Sequence, residues 1–204
     1  MKELRIGFIG VGNMGGALLR GIRTHRPEHT VLAYDVSEEA CRRAEAVGAV
    51  ICGGIGEVVS GSDIVLIAVK PQFFGEVMPQ IQQALTERKL VISITPGFDF
   101  EWLKGALGEN AALTRTIPNM PAMVGEGITL ITFRAEISCE ERQDILEIFR
   151  CVGRVCEMPE RLLDAGMTGS SASPAFTYMY IEAMADGIVA LGVPRAQAYE
   201  LCAQ

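Results

Sequence analysis

Histidine is scarce in this sequence, and the two that occur, His25 and His29, lie close together. Six cysteines are scattered without a CxxC pair, so free thiols are a better interpretation than disulfides or a zinc site. No Ser-His-Asp set, carboxylate pair or metal-ligand cluster can be assembled from the motifs. This shortage argues against chemistry that depends on a histidine base, a nucleophilic triad or a His-rich metal site.

Basic clusters and long apolar runs are also absent. The net charge is −7 and no block of lysine and arginine occurs, which argues against nucleic acid as the main partner. The uncharged apolar run at residues 64–69 is far too short to span a bilayer. Because the chain begins directly with a strand-like segment, the sequence predicts no signal peptide and a cytoplasmic location.

The composition that is present indicates a folded protein, since 49% of the 204 residues are hydrophobic. A strand-like run at residues 4–9 is followed by Gly10, Gly12 and Gly15, which have the G-x-G-x-x-G spacing, and a helical pattern begins there. In such a unit the glycines permit a tight turn, close approach of backbone to a pyrophosphate, and close helix–strand packing. The alternative for the motif alone is an ordinary glycine-rich turn.

An acidic residue supports the dinucleotide interpretation. The second short strand, predicted at residues 31–34, ends in Asp35, twenty residues after Gly15. In a βαβ unit this is where a carboxylate meets the hydroxyls of the adenosine ribose. A turn or cap residue before Ser37 is the alternative for Asp35. Strand, glycines, helix, strand and acid together predict a dinucleotide site.

Strands alternate with helices along most of the chain. Near-continuous apolar runs such as residues 63–69 are typical of parallel strands covered on both faces. A further strand is predicted at residues 112–116, broken by the Ile117-Pro118-Asn119-Met120-Pro121 segment, and another at residues 127–133. Ser138 with Glu141 predicts a capping box. The pattern predicts an α/β fold with a Rossmann-type doubly wound, mostly parallel sheet.

The character of the sequence changes near Pro159. Residues 160–165 look helical, residues 166–173 are small and polar, and Pro174 opens a long amphipathic helix that ends near Leu191. Another helix starts at Pro194. We therefore expect a dinucleotide-binding domain at residues 1–159 and the start of an all-helical domain at residues 160–204. Two such helices cannot bury their apolar faces alone, so a partner subunit or further chain is expected to cover them.

Ligands of open parallel sheets lie outside the carboxyl ends of the strands. Besides the glycine turn and Asp35, the segments predicted there are residues 68–71, 95–97 and 118–121. Lys70 is the one cation among them, and it is a candidate to meet a phosphate, a substrate carboxylate or the ribose. Asn119, held between two prolines, is a candidate to orient a carboxamide or the substrate. A solvated lysine and a turn-forming asparagine are the alternatives.

These residues are compatible with hydride transfer, in which the cofactor performs the chemistry and the protein orients it. An already protonated imine needs no catalytic acid from the protein. A ketone would usually need a lysine or histidine near its oxygen, and Lys70 is the candidate. Backbone N–H groups would hold the cofactor's phosphates, with no metal required.

Several short motifs that are specific in combination occur in order along essentially the whole chain. The early ones are Gly7-Phe8-Ile9-Gly10-Val11-Gly12-Asn13-Met14 and Ala68-Val69-Lys70-Pro71-Gln72. Later ones are Pro118-Asn119-Met120-Pro121, Val124-Gly125-Glu126-Gly127, Ser173-Pro174-Ala175-Phe176, Ile181-Glu182-Ala183-Met184-Ala185-Asp186-Gly187 and Leu191-Gly192-Val193-Pro194-Arg195. With these motifs the chain resembles the pyrroline-5-carboxylate reductase family.

The resemblance implies reduction of 1-pyrroline-5-carboxylate to L-proline, the last step of proline synthesis, with NADPH or NADH as the hydride donor. It also implies a homodimer, or a ring of dimers, in which the C-terminal helices of two subunits interleave. Besides the fingerprint residues Gly10, Gly12, Gly15 and Asp35, the cofactor-binding residues it implies are Ile9, Asn13, Met14, Ala68, Val69, Lys70, Pro71, Thr95, Pro96 and Gly97.

Three departures from the family pattern matter. Family members usually carry Ala-Gly or Ala-Ala-Gly where this chain has Thr95-Pro96-Gly97, and Ala-Leu-Ser-Gly-Ser-Gly or close to it around residues 168–173. The family also has a later Ser-Pro-Gly-Gly-Thr-type loop that helps to hold the substrate, and the 204 residues end before it. The substrate pocket is therefore expected to be incomplete in this stretch of sequence.

Two alternatives and a cofactor preference follow. The altered serine stretch and the missing loop are also consistent with a catalytically silent, nucleotide-binding regulatory relative. A β-hydroxyacid dehydrogenase relative is disfavoured, because those enzymes rely on a lysine in a helix that here, at residues 174–191, contains none.

Asp35 favours the free 2′-hydroxyl of NAD over a 2′-phosphate, although Arg42 and Arg43 follow one helix later, so NADH is expected to be at least competitive.

Overall fold

An eight-stranded sheet forms the centre of the protein, of which this computed structural model describes residues 3–204. Its order is β3-β2-β1-β4-β5-β6-β7-β8. The strands are β1 (Arg5–Ile9), β2 (Thr30–Tyr34), β3 (Val50–Ile51), β4 (Ile64–Ile67), β5 (Lys89–Ser93), β6 (Ala111–Pro118), β7 (Gly127–Phe133) and β8 (Gly153–Glu157). All neighbouring pairs are parallel except β6 with β7, so the prediction of a mostly parallel doubly wound sheet is confirmed.

Helices cover both faces of this sheet. Within the described residues they are α1 (Asn13–His25), α2 (Glu38–Ala46), α3 (Ile55–Gly61), α4 (Phe74–Ala84), α5 (Phe100–Leu107), α6 (Cys139–Arg150), α7 (Leu163–Met167), α8 (Ser173–Ala190) and α9 (Arg195–Ala203). The Ser138–Glu141 capping box that the sequence predicts opens α6. No helix of residues 3–204 is both long enough and apolar enough to cross a membrane.

Strand β4 shows how the core is divided. All four of its side chains are buried, with Ile64 and Leu66 on one face of the sheet and Val65 and Ile67 on the other. The first pair packs in a cluster with α1 and α6, and the second packs with α3, α4 and α5. Alternation of side chains along a strand that is covered on both faces explains why this segment is continuously apolar.

Strand β6 is longer than the sequence predicted. The expected strand at residues 112–116 runs from Ala111 to Pro118, so Ile117 and Pro118 do not break it. Strand β5 pairs with β6 only as far as Arg115, and beyond that point β7 is the single neighbour. A proline without an N–H donor is tolerated where one side of a strand is open.

The C-terminal region is helical throughout. The small polar stretch at residues 166–173, which the sequence set between two helices, continues α7 as a π-helical segment (Thr168–Ala172) that leads into α8. Phe176, Met179 and Tyr180 on α8 are exposed, and Ala185 is the buried residue of that helix. This exposure agrees with the expectation that the two helices cannot bury their apolar faces within the chain. The domain division at residue 159 stays a prediction.

Candidate dinucleotide site

The turn between β1 and α1 requires its glycines for different reasons. Gly10 has a φ of +93°, a backbone conformation that residues other than glycine rarely adopt. A Cβ on Gly15 would lie 2.3 Å from the carbonyl oxygen of Gly10, so the helix approaches the strand more closely than any side chain allows. A Cβ on Gly12 would meet no atom within 4 Å. The space above Gly12 is therefore open to a ligand.

The first turn of α1 offers free donors to that space. The residue before the helix is Gly12, which has no side chain to cap the helix, and Asn13 and Met14 begin the first turn. Unpaired N–H groups and the positive end of the helix dipole are suited to a pyrophosphate. The open space at Gly12 and the uncapped α1 fit the phosphates of a dinucleotide.

Asp35 lies beside this turn and is already held by the backbone. One carboxylate oxygen accepts a hydrogen bond from the N–H of Val11 at 2.8 Å, and the other accepts one from the N–H of Ser37 at 2.9 Å. The sequence predicted a ribose contact and a possible cap, but it did not indicate the bond to Val11. Each carboxylate oxygen can accept a second hydrogen bond, so this geometry is compatible with a ribose hydroxyl.

The loops after β4 and β5 lie next to the glycine turn. The N–H of Ala68 donates to the carbonyl oxygen of Ile9 at 2.8 Å, and a Cβ on Gly15 would lie 3.1 Å from the Ala68 Cβ. The Thr95 hydroxyl donates to the carbonyl oxygen of Val69 at 2.8 Å, which joins the two loops. The structure thus brings together, at the carboxyl ends of β1, β4 and β5, the three backbone segments that the sequence assigned to the cofactor.

The tip of the second loop is accessible. Pro96 and Gly97 are exposed, and Gly97 has a φ of +91°, whereas Thr95 is buried. Lys70 and Pro71 in the first loop are exposed as well, and within residues 3–204 no ion pair involves the Lys70 ammonium. The ammonium is therefore available to a ligand, and its predicted role stays a prediction.

Asn119 is 6% exposed, and its amide is used within the protein. The side-chain oxygen accepts a hydrogen bond from the N–H of Ile128 at 2.8 Å, and the side-chain nitrogen donates to the carbonyl oxygen of Ser170 at 2.9 Å. These bonds connect the end of β6 with the start of β7 and with the π-helical segment. These two hydrogen bonds favour an anchoring role for Asn119. Its predicted role in orienting the substrate stays a prediction.

The charges on α2 bear on the ribose end of a cofactor. Glu38 and Glu39 lie in its first turn, and Arg42 and Arg43 form ion pairs with them at 3.5 and 2.5 Å. Arg43 also lines a cavity of about 220 Å³ beside Gly12 and Asn13, together with Arg20. Arg20 follows Gly15 by five residues on α1 and was not among the residues predicted from the sequence.

Comparison with known proteins agrees with this geometry. Together, the fold and the glycine turn define a dinucleotide-binding protein of the Rossmann type, and residues 5–97 match the family described as "NADP oxidoreductase coenzyme F420-dependent". Residues 160–204 match the family described as "Pyrroline-5-carboxylate reductase dimerisation".

Individual relatives narrow the assignment. The chain is 37% identical to the pyrroline-5-carboxylate reductase of Escherichia coli over 99% of its own length and 76% of that protein. The Methanosarcina acetivorans enzyme is 38% identical, with 100% and 77% covered. A crystal structure of pyrroline carboxylate reductase from Plasmodium falciparum with NADP bound superposes with a TM-score of 0.90 at 28% identity, covering 100% of this chain and 76% of that one. The chain belongs to the pyrroline-5-carboxylate reductase family.

Proposed function

We infer that the protein reduces 1-pyrroline-5-carboxylate to L-proline with NAD(P)H, the last step of proline biosynthesis. Family membership over the whole chain carries this inference. The dinucleotide turn supports it, because the open space at Gly12 and the uncapped start of α1 are the features that a cofactor pyrophosphate needs.

The chain's own residues act by binding and orientation. When bound at this site, NAD(P)H would supply the hydride that reduces the imine carbon of the substrate. The backbone of Gly12 and Asn13 would hold its pyrophosphate. The hydrogen bond from Thr95 to Val69 fixes the two loops that would lie near its nicotinamide relative to each other. With the imine nitrogen already protonated, no side chain needs to donate a proton during the transfer.

Deuterium transfer tests this reaction. The purified protein is supplied with cofactor that carries deuterium at the transferable C4 position and with pyrroline-5-carboxylate, and the proline formed is analysed by mass spectrometry. The reaction predicts proline with one deuterium on the former imine carbon. Tight cofactor binding without any proline would instead indicate the catalytically silent relative that the altered segment at residues 168–173 leaves open.

Cofactor choice follows from the charges near Asp35. A 2′-phosphate would approach the Asp35 carboxylate and the two glutamates in the first turn of α2, whose charges offset those of Arg42 and Arg43 in exposed ion pairs. Like charges within a few ångströms disfavour binding. On this basis NADH is at least competitive with NADPH.

Steady-state kinetics with both cofactors measure this preference. The change Asp35→Asn removes the charge and keeps one of the two oxygen acceptors, so one of the bonds from Val11 and Ser37 is retained. The ratio of kcat/KM for NADPH to that for NADH should then rise about tenfold. The change Asp63→Asn is the matched control, because Asp63 also accepts a backbone hydrogen bond, from Arg5, but lies just before β4, at the opposite edge of the sheet. A strong NADPH preference in the parent protein, unchanged by Asp35→Asn, would exclude this role for Asp35.

Assembly and domain organisation complete the proposal. Residues 1–159 form the dinucleotide-binding domain and residues 160–204 begin the helical domain through which two subunits interleave. The exposed apolar residues of α8 support pairing of this kind. A homodimer is the minimal assembly, and a ring of such dimers is the larger one. The cytoplasmic location stays a prediction.

A further inference from the structure

Glu160 occupies a junction between the sheet and the helical region. It is the first residue of the 3₁₀ turn (Glu160–Leu162) that follows β8 and leads into α7. One of its carboxylate oxygens accepts a hydrogen bond from the N–H of Phe100 at 2.7 Å and another from the guanidinium of Arg115 at 2.5 Å. The side chain thus joins the helical region to the start of α5 and to β6.

The Arg115 side of this junction is buried. The Arg115 side chain is 8% exposed, against 35% for Glu160, and its guanidinium lies 5.9 Å from the centre of the Phe100 ring. A buried guanidinium that loses its carboxylate is left with an uncompensated charge. Arg115 therefore holds Glu160 in place, and removal of the Glu160 carboxylate would force Arg115 to move.

The Phe100 side of the junction fixes one end of the loop that follows β5. The N–H of Phe100 is the first donor of α5 and has no partner within the helix. The Glu160 carboxylate accepts its hydrogen bond and interacts favourably with the positive end of the helix dipole. At the other end of the loop, the Thr95 hydroxyl binds the carbonyl oxygen of Val69. Between these points the Phe98 ring stacks on Phe74 with centroids 4.2 Å apart. The exposed tip at Pro96 and Gly97 is therefore held from both sides.

We propose that Glu160 is a positioning residue that couples the placement of the helical region to the loop at residues 95–99, and through it to the nicotinamide end of the cofactor. This inference rests on the proposed reductase function. Glu160 touches neither cofactor nor substrate in this account and acts through Phe100. A shift of the helical region then moves the start of α5, and the loop tip moves with it.

The test separates the two ends of the cofactor. For the parent protein and for Glu160→Ala and Glu160→Gln, kcat is measured together with the dissociation constants of NAD(P)H and of the matching ADP-ribose, which lacks the nicotinamide. The matched control is Glu157→Gln, which removes another Glu–Arg pair, with Arg142, three residues earlier on β8. Melting temperatures verify that each variant is folded.

We expect Glu160→Ala to change kcat, which depends on the nicotinamide end of the cofactor, but not the affinity for ADP-ribose, which lacks that end. Glu160→Ala lowers kcat about tenfold, because small misplacements of reacting groups are costly, while the affinity for ADP-ribose stays within about twofold. Glu160→Gln lies between, since its amide oxygen still accepts from Phe100 but no longer neutralises Arg115. The control changes neither quantity.

Two results would overturn the proposal. One is a Glu160→Ala protein with kcat within about twofold of the parent, and the other is an affinity for ADP-ribose that falls by the same factor as kcat. If the parent protein binds cofactor but produces no proline, the reductase function fails. The NAD(P)H to ADP-ribose affinity ratio then decides the role of Glu160: a changed ratio in Glu160→Ala supports it, and an unchanged ratio overturns it.

Discussion

At the scale of single residues, the glycine turn separates positions that the fold needs from positions that the ligand needs. Gly15 has no room for a Cβ because the Gly10 carbonyl oxygen would be 2.3 Å away. Gly12 has room on the protein side, and its freedom serves an approaching pyrophosphate. The same fingerprint thus contains two glycines that the fold needs, Gly10 and Gly15, and one that faces the ligand, Gly12.

The substitutions Gly12→Ala and Gly15→Ala should therefore fail in different ways. Gly15→Ala overpacks the turn and is expected to cost about 2 kcal/mol, which lowers the melting temperature by several degrees. Gly12→Ala should keep the melting temperature close to that of the parent but weaken NAD(P)H binding by about tenfold or more. Thermal unfolding and cofactor titration measure the two effects.

The matched control for both is Gly105→Ala. Gly105 lies within α5, where an added Cβ meets no atom within 4 Å, and helix propensity favours alanine. It should bind cofactor normally and be no less stable than the parent. Equal losses of stability in the Gly12 and Gly15 variants would contradict the division of roles.

The hydrogen-bond partners of Asp35 and Asn119 were harder to predict than their positions. Both residues directly follow a strand, as the local patterns indicated, while their roles toward a ligand stay predictions. The partners are distant in sequence, since Asp35 binds Val11 and Asn119 binds Ser170. Contacts of this kind depend on how the strands and the helical region pack, which no local pattern encodes.

At the scale of elements, the start of α6 shows how one carboxylate serves several partners. The Glu141 side chain accepts from the N–H of Ser138 at 2.8 Å, and both of its oxygens meet the Arg88 guanidinium, at 2.6 and 3.1 Å. The hydrogen bonds from Arg88 are the largest cause that lowers the pKa of Glu141 to about 2, from an ordinary value of 4.5. The cap therefore also ties α6 to the segment before β5.

The pH dependence of stability follows from this lowered pKa. A carboxyl group whose pKa is lower in the folded state stabilises the fold fully above its unfolded pKa and loses this effect as the pH falls. The Glu141→Gln variant should be about 1 kcal/mol less stable than the parent above pH 4.5, after allowance for solvent screening. The difference should shrink between pH 4.5 and about 2.

Denaturant unfolding across this pH range measures the effect. The matched control is Glu140→Gln, which removes the neighbouring exposed carboxylate from the same first turn. Its stability should follow that of the parent closely at each pH. A Glu141→Gln deficit that stays constant down to pH 2 would rule out the linkage.

Local signals predicted most elements but not how they end or join. The capping box and the strand at residues 127–133 were predicted because their signals are local. The extension of β6 to Pro118 depends on where β5 stops, and the π-helical segment at Thr168–Ala172 joins two helices across serines and a glycine that have weak helix propensity. In both cases the tertiary surroundings outweighed the local preference.

At the scale of the whole molecule, the C-terminal helices have apolar surface that the described residues leave open. Phe176 is 69% exposed, Met179 65% and Leu201 67%. Large exposed apolar patches mark interaction surfaces, and residues 160–204 match the pyrroline-5-carboxylate reductase dimerisation family. We therefore expect a second copy of the chain on this surface.

Charge introduced on this surface should prevent association. Phe176 and Met179 lie three residues apart on α8, so they share one face. The double variant Phe176→Glu/Met179→Glu should shift the protein from dimer or larger to monomer in sedimentation-velocity experiments and should lower its melting temperature. The control Val50→Glu places a charge at an exposed apolar residue on the edge strand β3 and should leave the assembly unchanged. A monomeric parent protein would contradict this expectation.

The most direct test of the whole account is the initial rate of NAD(P)H oxidation by the purified protein, with and without pyrroline-5-carboxylate. The proposed reductase function predicts oxidation that depends on this substrate, saturates with it and yields proline in equal amount. The rate should be largely lost in Gly12→Ala, which remains folded. Saturable cofactor binding with no oxidation above the background, at any substrate concentration, would contradict it.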